Sequence, residues 1–392
     1  MPGLGSDQPC FLPDWYNDVT RLAVFTTGSR NRMAMARALM ATLRRHHPEA
    51  EQFICVGDDA AGVVPPPGCR ILAGAEIGVP GWRNACFAYD AMALNCLLKP
   101  FTFLHLVETL SYDRVLHFDT DMALYAPLHS VTAALDEGAA LVLTPHLLAP
   151  PEPGDIPDPL GILIAGTYNT GFVAAGNTPA ARAALRWWAA RLHENAGVAP
   201  ERGLVWDQRW MDLAPGLFAD VHILRDPAIN VAYWNLPQRC LARAAAGWTV
   251  AGQPLALFHF SGFDPDTPTR LTRHATSLPA PPPAGLAVLL AEYAALLAAH
   301  RQPADDAQPY AYARFASGTP IPPAARALFH ARHRDWPTDP FETFEAHLDT
   351  LVPAAGAAEP IDPAHPPAAI RRLASWRLTA AIWAIAARFR RR

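Results

Sequence analysis

The stretch Arg114-Val-Leu-His-Phe-Asp119-Thr-Asp121 is an apolar run that ends in two carboxylates separated by a single residue. Side chains at i and i+2 of a strand leave the same face, so Asp119 and Asp121 project together where the run gives way to a loop. Two such carboxylates can hold a divalent cation, and that cation can neutralise a diphosphate. The same spacing also occurs in solvated turns, so spacing alone does not choose between the two readings. The apolar lead-in weighs toward the metal, because it sets the pair at the carboxyl end of a buried strand, where open α/β sheets bind ligands.

Those carboxylates need a scaffold, and the hydrophobic pattern predicts one. Strand-like and helix-like stretches alternate through the first two thirds of the chain, the mark of an α/β fold. Residues 22–27 read as a first strand with a turn at Gly28-Ser29-Arg30-Asn31, 33–47 as a helix, and 52–56 as a second strand closing on Gly57-Asp58-Asp59. A short strand near 70–72, a helix over 83–98 ending before Pro100, and another helix over 101–110 lead to the strand that ends at Asp119. This succession predicts a doubly wound nucleotide-binding half. Further on, 140–144 reads as a strand, 149–160 as a Pro-rich loop, 168–173 as a turn entering a strand, and 255–260 as a last strand. Asn177 and Pro179 take N-cap and early-helix positions of a helix reaching Asn195. Its pair Trp187-Trp188 lies mid-helix and reads as core packing. After a Pro-rich linker at 278–285 come helices at 286–300, 324–334 and 341–351, a second linker at 353–367 and a last helix over 368–391. The expected organisation is a catalytic domain over 1–275, a linker and helical accessory region over 276–366, and a basic helix over 367–392.

Composition narrows the class. The chain has 392 residues, 51% hydrophobic and 17% charged, which places it among globular proteins with a sizeable core. A net charge of −4 makes no case for nucleic acid, and no such partner is expected. The charge is uneven, with seven arginines and no acid between Arg371 and Arg392. Six cysteines (10, 55, 69, 86, 96 and 240) are scattered without a Cys-x-x-Cys and read as buried free thiols of a reducing compartment. The start of the chain lacks the pattern of a signal peptide, and no run reaches the ~20 apolar residues of a membrane span. The expectation is a cytoplasmic protein whose tail, Arg371 to Arg392, makes peripheral contact with the inner face of a membrane or binds a partner.

Several short motifs add to the Asp pair. Lys99-Pro100, then Tyr112-Asp113-Arg114-Val115-Leu116-His117-Phe118-Asp119-Thr120-Asp121, is similar to the approach to the metal-binding Asp-x-Asp of the GT-A glycosyltransferases, in particular the retaining lipooligosaccharide galactosyltransferase and glycogenin-like group. Asn169-Thr170-Gly171 resembles that group's Asn-x-Gly turn, and Asp207-Gln208 stands where it has an Asp-Gln pair beside the donor sugar. Phe258-His259-Phe260-Ser261-Gly262 looks like its His-x-x-Gly segment. The resemblance covers residues 20–265 in matching order. A segment at 314–323, followed by Arg326 and Asp339-Pro340-Phe341, resembles one found after the GT-A module in bacterial, often multidomain, glycosyltransferases.

The resemblance implies a GT-A fold, a Rossmann-like mixed sheet flanked by helices, here with a small helical C-terminal region. It implies metal-dependent transfer of a hexose from a nucleoside-diphosphate sugar, UDP-hexose foremost, to a glycan or lipid-linked acceptor, in bacterial cell-surface polysaccharide or glycolipid synthesis. Asp119, Asp121 and His259 would ligate Mn2+ or Mg2+, Asp207 and Gln208 would be catalytic, Asn169 would bond to the donor sugar, and Gly262 would lie at the donor site. One imidazole among oxygen ligands favours manganese. Taken alone, His259 reads as a core histidine, and its place at a strand end before Ser-Gly reverses that. Thr26, Thr27 and Asp58, at the carboxyl ends of the first two strands, face the base and ribose by the switch-point rule, although turn chemistry explains them equally well. Asp207 could stabilise positive charge at the anomeric carbon.

The chain departs from the group at one point. There His-x-x-Gly is followed by x-x-Lys-Pro-Trp, whose lysine contacts the diphosphate; here Phe263-Asp264-Pro265 follows. Phosphate charge then falls to the metal and another cation, with Arg30, Arg32, Arg83 and Arg270 as unranked candidates, and the stereochemical outcome stays open. Trp234 reads either as a sugar platform or as part of a buried loop. The alternatives are a catalytically idle carbohydrate-binding or scaffold protein of the same fold, a sugar-phosphate nucleotidyltransferase, for which Gly28-Ser-Arg-Asn-Arg is a poor loop, and a haloacid-dehalogenase-type phosphatase, which wants Thr or Val where Ala123 stands.

Overall fold

A computed structural model describes residues 20–152, 159–199, 202–275, 278 and 282–351. Cys10, the second linker, the helix expected over 368–391 and part of the Pro-rich loop lie outside these residues. The chain forms the strands β1 (Leu22–Gly28), β2 (Glu51–Val56), β3 (Cys69–Ala73), β4 (Arg114–Phe118), β5 (Met122–Leu124), β6 (Leu141–Pro145) and β7 (Tyr168–Gly176). Shorter ones follow: β8 (Val198–Ala199), β9 (Leu204–Val205), β10 (Val221–Ile223), β11 (Leu241–Ala244), β12 (Gly247–Val250), β13 (Gln253–Pro254) and β14 (Leu257–His259). Seven of them make one sheet in the order β10-β6-β7-β4-β1-β2-β3. β7 runs antiparallel to both β4 and β6, and the other pairs are parallel. The α/β architecture is therefore the one that the sequence pattern predicts, and the mixed sheet flanked by helices the one that the resemblance implies.

This order has a functional consequence. The chain winds from β1 through β2 to β3 on one side and returns to β4 on the other side of β1, so the carboxyl ends of β1 and β4 flank a topological switch point. β1 and β7 are buried at every position, because helices cover both faces of the sheet. A two-stranded sheet of β5 and β14 sits just past β4.

Four local expectations are corrected. The helix read over 83–98 is two, Trp82–Ala88 and Ala91–Leu104, with Asp90 capping the second by accepting from Ala93 N at 2.9 Å. Pro100 does not end it; the helix runs through the proline into a π turn, His105–Thr109, since burial of Leu97, Leu98 and Phe103 outweighs the ~3 kcal/mol a helical proline costs. Residues 168–173 are not a turn but the first part of β7, and the Asn and Gly that hid it, types depleted in strands, each serve a specific contact described below. The helix Pro179–Glu194 is capped by Thr178, which accepts from Ala181 N at 3.1 Å, while Asn177 donates to the Val107 and Tyr112 carbonyls. Trp188 is fully buried, as its mid-helix place predicts.

The helices Ala284–His300, Pro323–Arg332 and Pro340–Leu351 follow the expected spans closely. Among the described residues, those up to Phe341 belong to one compact unit with the sheet, and 342–351 to a second. Tyr293 of the first helix stacks on Phe260 with ring centroids 3.7 Å apart, and Asp305 pairs with both Arg30 and Arg37. Cys55, Cys69, Cys86 and Cys96 are buried free thiols, whereas Cys240 is free but exposed. Among the described residues no helix is long and apolar enough to cross a membrane.

Candidate metal and donor site

β4 delivers Asp119 to the switch point, where its backbone N donates to Gly171 O of β7 at 2.7 Å. β5 starts one residue after Asp121 and pairs antiparallel with β14, Met122 opposite His259, and Phe260 N closes on Asp121 O at 2.8 Å. That pairing carries a histidine from far along the chain to the Asp pair. The ligand atoms of Asp119, Asp121 and His259 lie within 4.8 Å of one another, with His259 Nε2 3.1 Å from Asp121 Oδ1. The two carboxylates keep 33% and 26% of their side-chain surface, while the imidazole sits behind them at 4%. A Cβ on Gly171 would come 2.6 Å from His259 Cε1, so only glycine lets the ring approach.

The electrostatics are those of a crowded anionic pair. Burial and the Asp121 charge push the Asp119 carboxyl up, against the pull of Lys99. Burial also acts to raise Asp121, but His259, by charge and hydrogen bond, outweighs it and holds that carboxyl below its ordinary value. Two carboxylate oxygens and one imidazole nitrogen at this spacing suit a divalent cation, so these residues could hold one.

Beside this triad lies a buried cation. Lys99, 4% exposed, reaches from the helix Ala91–Leu104 to Asp119 Oδ1 at 3.0 Å, Asp207 Oδ2 at 2.8 Å and Thr170 O at 3.3 Å. An ammonium has three hydrogens, and three acceptors take them. Burial alone would lower the Lys99 pKa, but Asp119 and Asp207 more than reverse that and raise it above the ordinary 10.5. Asp207 also accepts from Thr170 Oγ1 at 2.8 Å, and its carbonyl accepts from Trp188 Nε1 at 3.2 Å. Lys99 thereby bridges the metal-side carboxylate Asp119 and Asp207.

The remaining residues singled out by sequence are placed as follows. Gln208 donates Nε2 to Ala165 O at 2.7 Å. Asn169 is buried within β7, its Oδ1 accepting from Gly171 N and its Nδ2 against His146 Nε2. Thr26 is fully buried, and Thr27 donates its hydroxyl to Asn95 O at 3.2 Å. Asp58 accepts from Arg30 N at 2.8 Å, and burial raises its carboxyl despite that bond. Gly262 has φ +74, and His274 and Thr272 fold so close that a Cβ would meet them at 2.4 and 2.5 Å. Among the cation candidates Arg30 is paired with Asp305 and Asp59, and Arg83 with Asp339. Arg32 is exposed and its charge reaches Asp121. Trp234 is 6% exposed and packs edge-on to both His146 and His259, the buried-loop reading.

Two residues escape a motif reading. Lys99 stands in a quoted motif but without a role; its signal is that it is the one lysine in a chain whose other 31 basic residues are all arginine. Asn230, whose Oδ1 lies 3.3 Å from His259 Nδ1, has no sequence signal, because only the bridge of Val231 to Phe258, with His259 N donating to Val231 O at 2.8 Å, brings it to the histidine.

No family model matches the sequence. The uncharacterized proteins YfnD and YfnF of Bacillus subtilis (strain 168) are similar at 30% identity over 169 residues and 28% over 152, which is 42% and 38% of this chain. The chain spans about half the length of these curated relatives, 52% and 50%. Among solved structures, the galactosyltransferase LgtC in complex with donor and acceptor sugar analogues aligns at a TM-score of 0.43 and 13% identity, over 71% of this chain and 95% of LgtC. The glycosyltransferase GlyE of Streptococcus pneumoniae TIGR4 aligns at 0.40 and 15%, over 71% of this chain and 63% of GlyE.

Proposed function

We propose that the chain is a metal-dependent glycosyltransferase of the GT-A type that moves a hexose from a nucleoside-diphosphate sugar, UDP-hexose foremost, to a glycan or lipid-linked acceptor in bacterial cell-surface polysaccharide or glycolipid synthesis. The observation that carries this reading is the convergence of Asp119, Asp121 and His259 at the carboxyl end of β4, with the Lys99–Asp207 pair alongside. Asp119, Asp121 and His259 hold a divalent ion, manganese by preference, which when bound supplies Lewis-acid neutralisation of the leaving diphosphate. Asp207, held by Lys99 and Thr170, presents negative charge where positive charge develops on the sugar. Gln208 ties the Ala165 backbone beside it. Asp58 serves the base and ribose side, with Thr26 and Thr27, both buried, supporting it from within the sheet, and Gly262 lets the chain turn tightly against His274 and Thr272 at the donor site. Arg32, whose charge reaches Asp121, or Arg270 serves as the cation in place of the missing lysine, because Arg30 and Arg83 are taken up in ion pairs. Asn169, whose amide faces protein groups, serves the site from behind rather than by bonding to sugar.

The test is a donor-hydrolysis screen over common nucleotide sugars with manganese, magnesium or chelator. Metal-dependent release of nucleoside diphosphate from one donor is expected; failure of every donor to bind sinks the reading and favours an idle scaffold. The seven arginines of Arg371–Arg392 support peripheral association with an anionic membrane. A chain ending near residue 367 should then shift from the membrane to the soluble fraction, and an unchanged distribution refutes the contact.

A further inference from the structure

We propose that Asn230 is a positioning residue of the metal centre: it accepts from His259 Nδ1 and so fixes the ring with Nε2 turned toward Asp121. This rests on the reading of Asp119, Asp121 and His259 as a metal site. The orientation of every link follows from two backbone groups whose roles are not interchangeable. At one end the Gly171 N–H donates to Asn169 Oδ1 at 3.2 Å, which leaves Asn169 Nδ2 to face His146 Nε2 at 3.4 Å. At the other end the Gly166 carbonyl accepts from His146 Nδ1 at 2.8 Å, so His146 Nε2 is the bare nitrogen that Asn169 needs. Burial agrees, pushing the His146 pKa down to about 4 and keeping the ring neutral.

With Asn169 Oδ1 fixed as an acceptor, the Asn230 amide has one orientation. Its Nδ2 donates to Asn169 Oδ1 at 3.0 Å and to Thr144 Oγ1 at 2.9 Å, and a flip would set two carbonyl oxygens against each other. Asn230 Oδ1 therefore faces His259 Nδ1 at 3.3 Å and requires a proton there. With Nδ1 engaged by Asn230, the ring presents Nε2 to the metal side, 3.1 Å from Asp121 Oδ1, and Nε2 is the nitrogen left to meet a cation there.

The backbone of Asn230 carries the same message. It is 2% exposed and holds φ +57, a left-handed conformation that costs a non-glycine residue energy and that asparagine tolerates best. Asn235 secures it by donating Nδ2 to Asn230 O at 3.0 Å. A strained, buried residue whose side chain ends on a metal-facing histidine is placed for that contact.

The experiment has two arms on the full chain. In the first, 15N-histidine NMR of the metal-free protein at pH 8.5, with His259 assigned by difference from His259→Gln, should show Nδ1 protonated; a bare Nδ1 overturns the proposal. In the second, Mn2+ binding is followed by electron paramagnetic resonance. Asn230→Leu should weaken it about 10- to 100-fold, the usual loss when the partner of a metal-bound histidine is removed. Asn230→Asp, which keeps an acceptor for Nδ1 but gives up the donors to Thr144 and Asn169, should stay within about 3-fold of the parent. Wild-type Mn2+ affinity in Asn230→Leu, or equal weakening in both variants, overturns the role. If the parent chain binds no Mn2+, the metal reading fails by itself, and the NMR arm still decides what Asn230 does.

Discussion

Replacing Lys99 by methionine removes the cation that two carboxylates share while keeping most of the side-chain volume. Its ammonium is 3.0 Å from Asp119 and 2.8 Å from Asp207. At an effective dielectric near 20 each contact is a gross attraction of about 5 to 6 kcal/mol, most of it offset by the desolvation of the charges. The net cost of orphaning buried charge partners is about 3 to 5 kcal/mol. Asp119 keeps a third of its surface and is screened by solvent, so the expected loss is at the lower end, about 3 kcal/mol, and arises mainly at Asp207, whose side chain is 5% exposed. Urea unfolding of Lys99→Met at pH 7.5 in chelator should show that loss, and Mn2+ should recover part of it by substituting positive charge beside Asp119. Lys99→Arg keeps the charge, but a planar fork cannot serve three acceptors clustered around one point, so about 1 to 2 kcal/mol should still be lost. Donor turnover in Lys99→Met should fall about 100-fold or more. Because the chain has one lysine, a 15Nζ-lysine label yields a single side-chain signal, which should remain an ammonium above pH 10.5. A Lys99→Met variant within about 0.5 kcal/mol of the parent and fully active would refute the reasoning, since surface substitutions behave that way and buried bridges do not.

Other perturbations probe the same architecture. Gly171→Ala places a methyl 2.6 Å from His259 Cε1 and should cost about 1 to 3 kcal/mol and weaken Mn2+ binding, whereas Gly216→Ala, with nothing within 4 Å, should do neither; equal effects in calorimetry would discount the packing argument. Asp121→Ala should abolish metal-dependent turnover while the melting temperature shifts by only a few degrees, and near-normal activity would dismiss Asp121 as a ligand. The His146 pKa is about 4 in the fold against an ordinary 6.5, so the unfolded chain takes up a proton that the fold refuses as pH falls through that window. The contribution is whole above pH 6.5 and lost toward pH 4, about 3 kcal/mol in all; urea midpoints should therefore drop from pH 6.5 to 4.5, and less steeply in His146→Gln, while parallel slopes would count against it.

The local periodicity of the sequence determined most of the secondary structure, because strand and helix patterns repeat over a few residues and need no knowledge of neighbours. It also determined the Asp119–Asp121 pair at the end of a buried strand, since both stand in the short turn that directly follows β4. It went astray at Pro100 and across residues 168–173, where burial overrode the propensities of proline, asparagine and glycine. What only the tertiary structure decided is the company the pair keeps. His259 reaches Asp121 because β5 pairs with β14, and Lys99 and Asp207 meet because a helix and a later loop converge behind Asp119. Asn230 serves His259 only because its amide is oriented by Thr144 and Asn169. Such contacts join residues far apart in the chain, and their energies depend on sheet order, burial and the direction of each hydrogen bond, none of which a residue's neighbours in sequence specify.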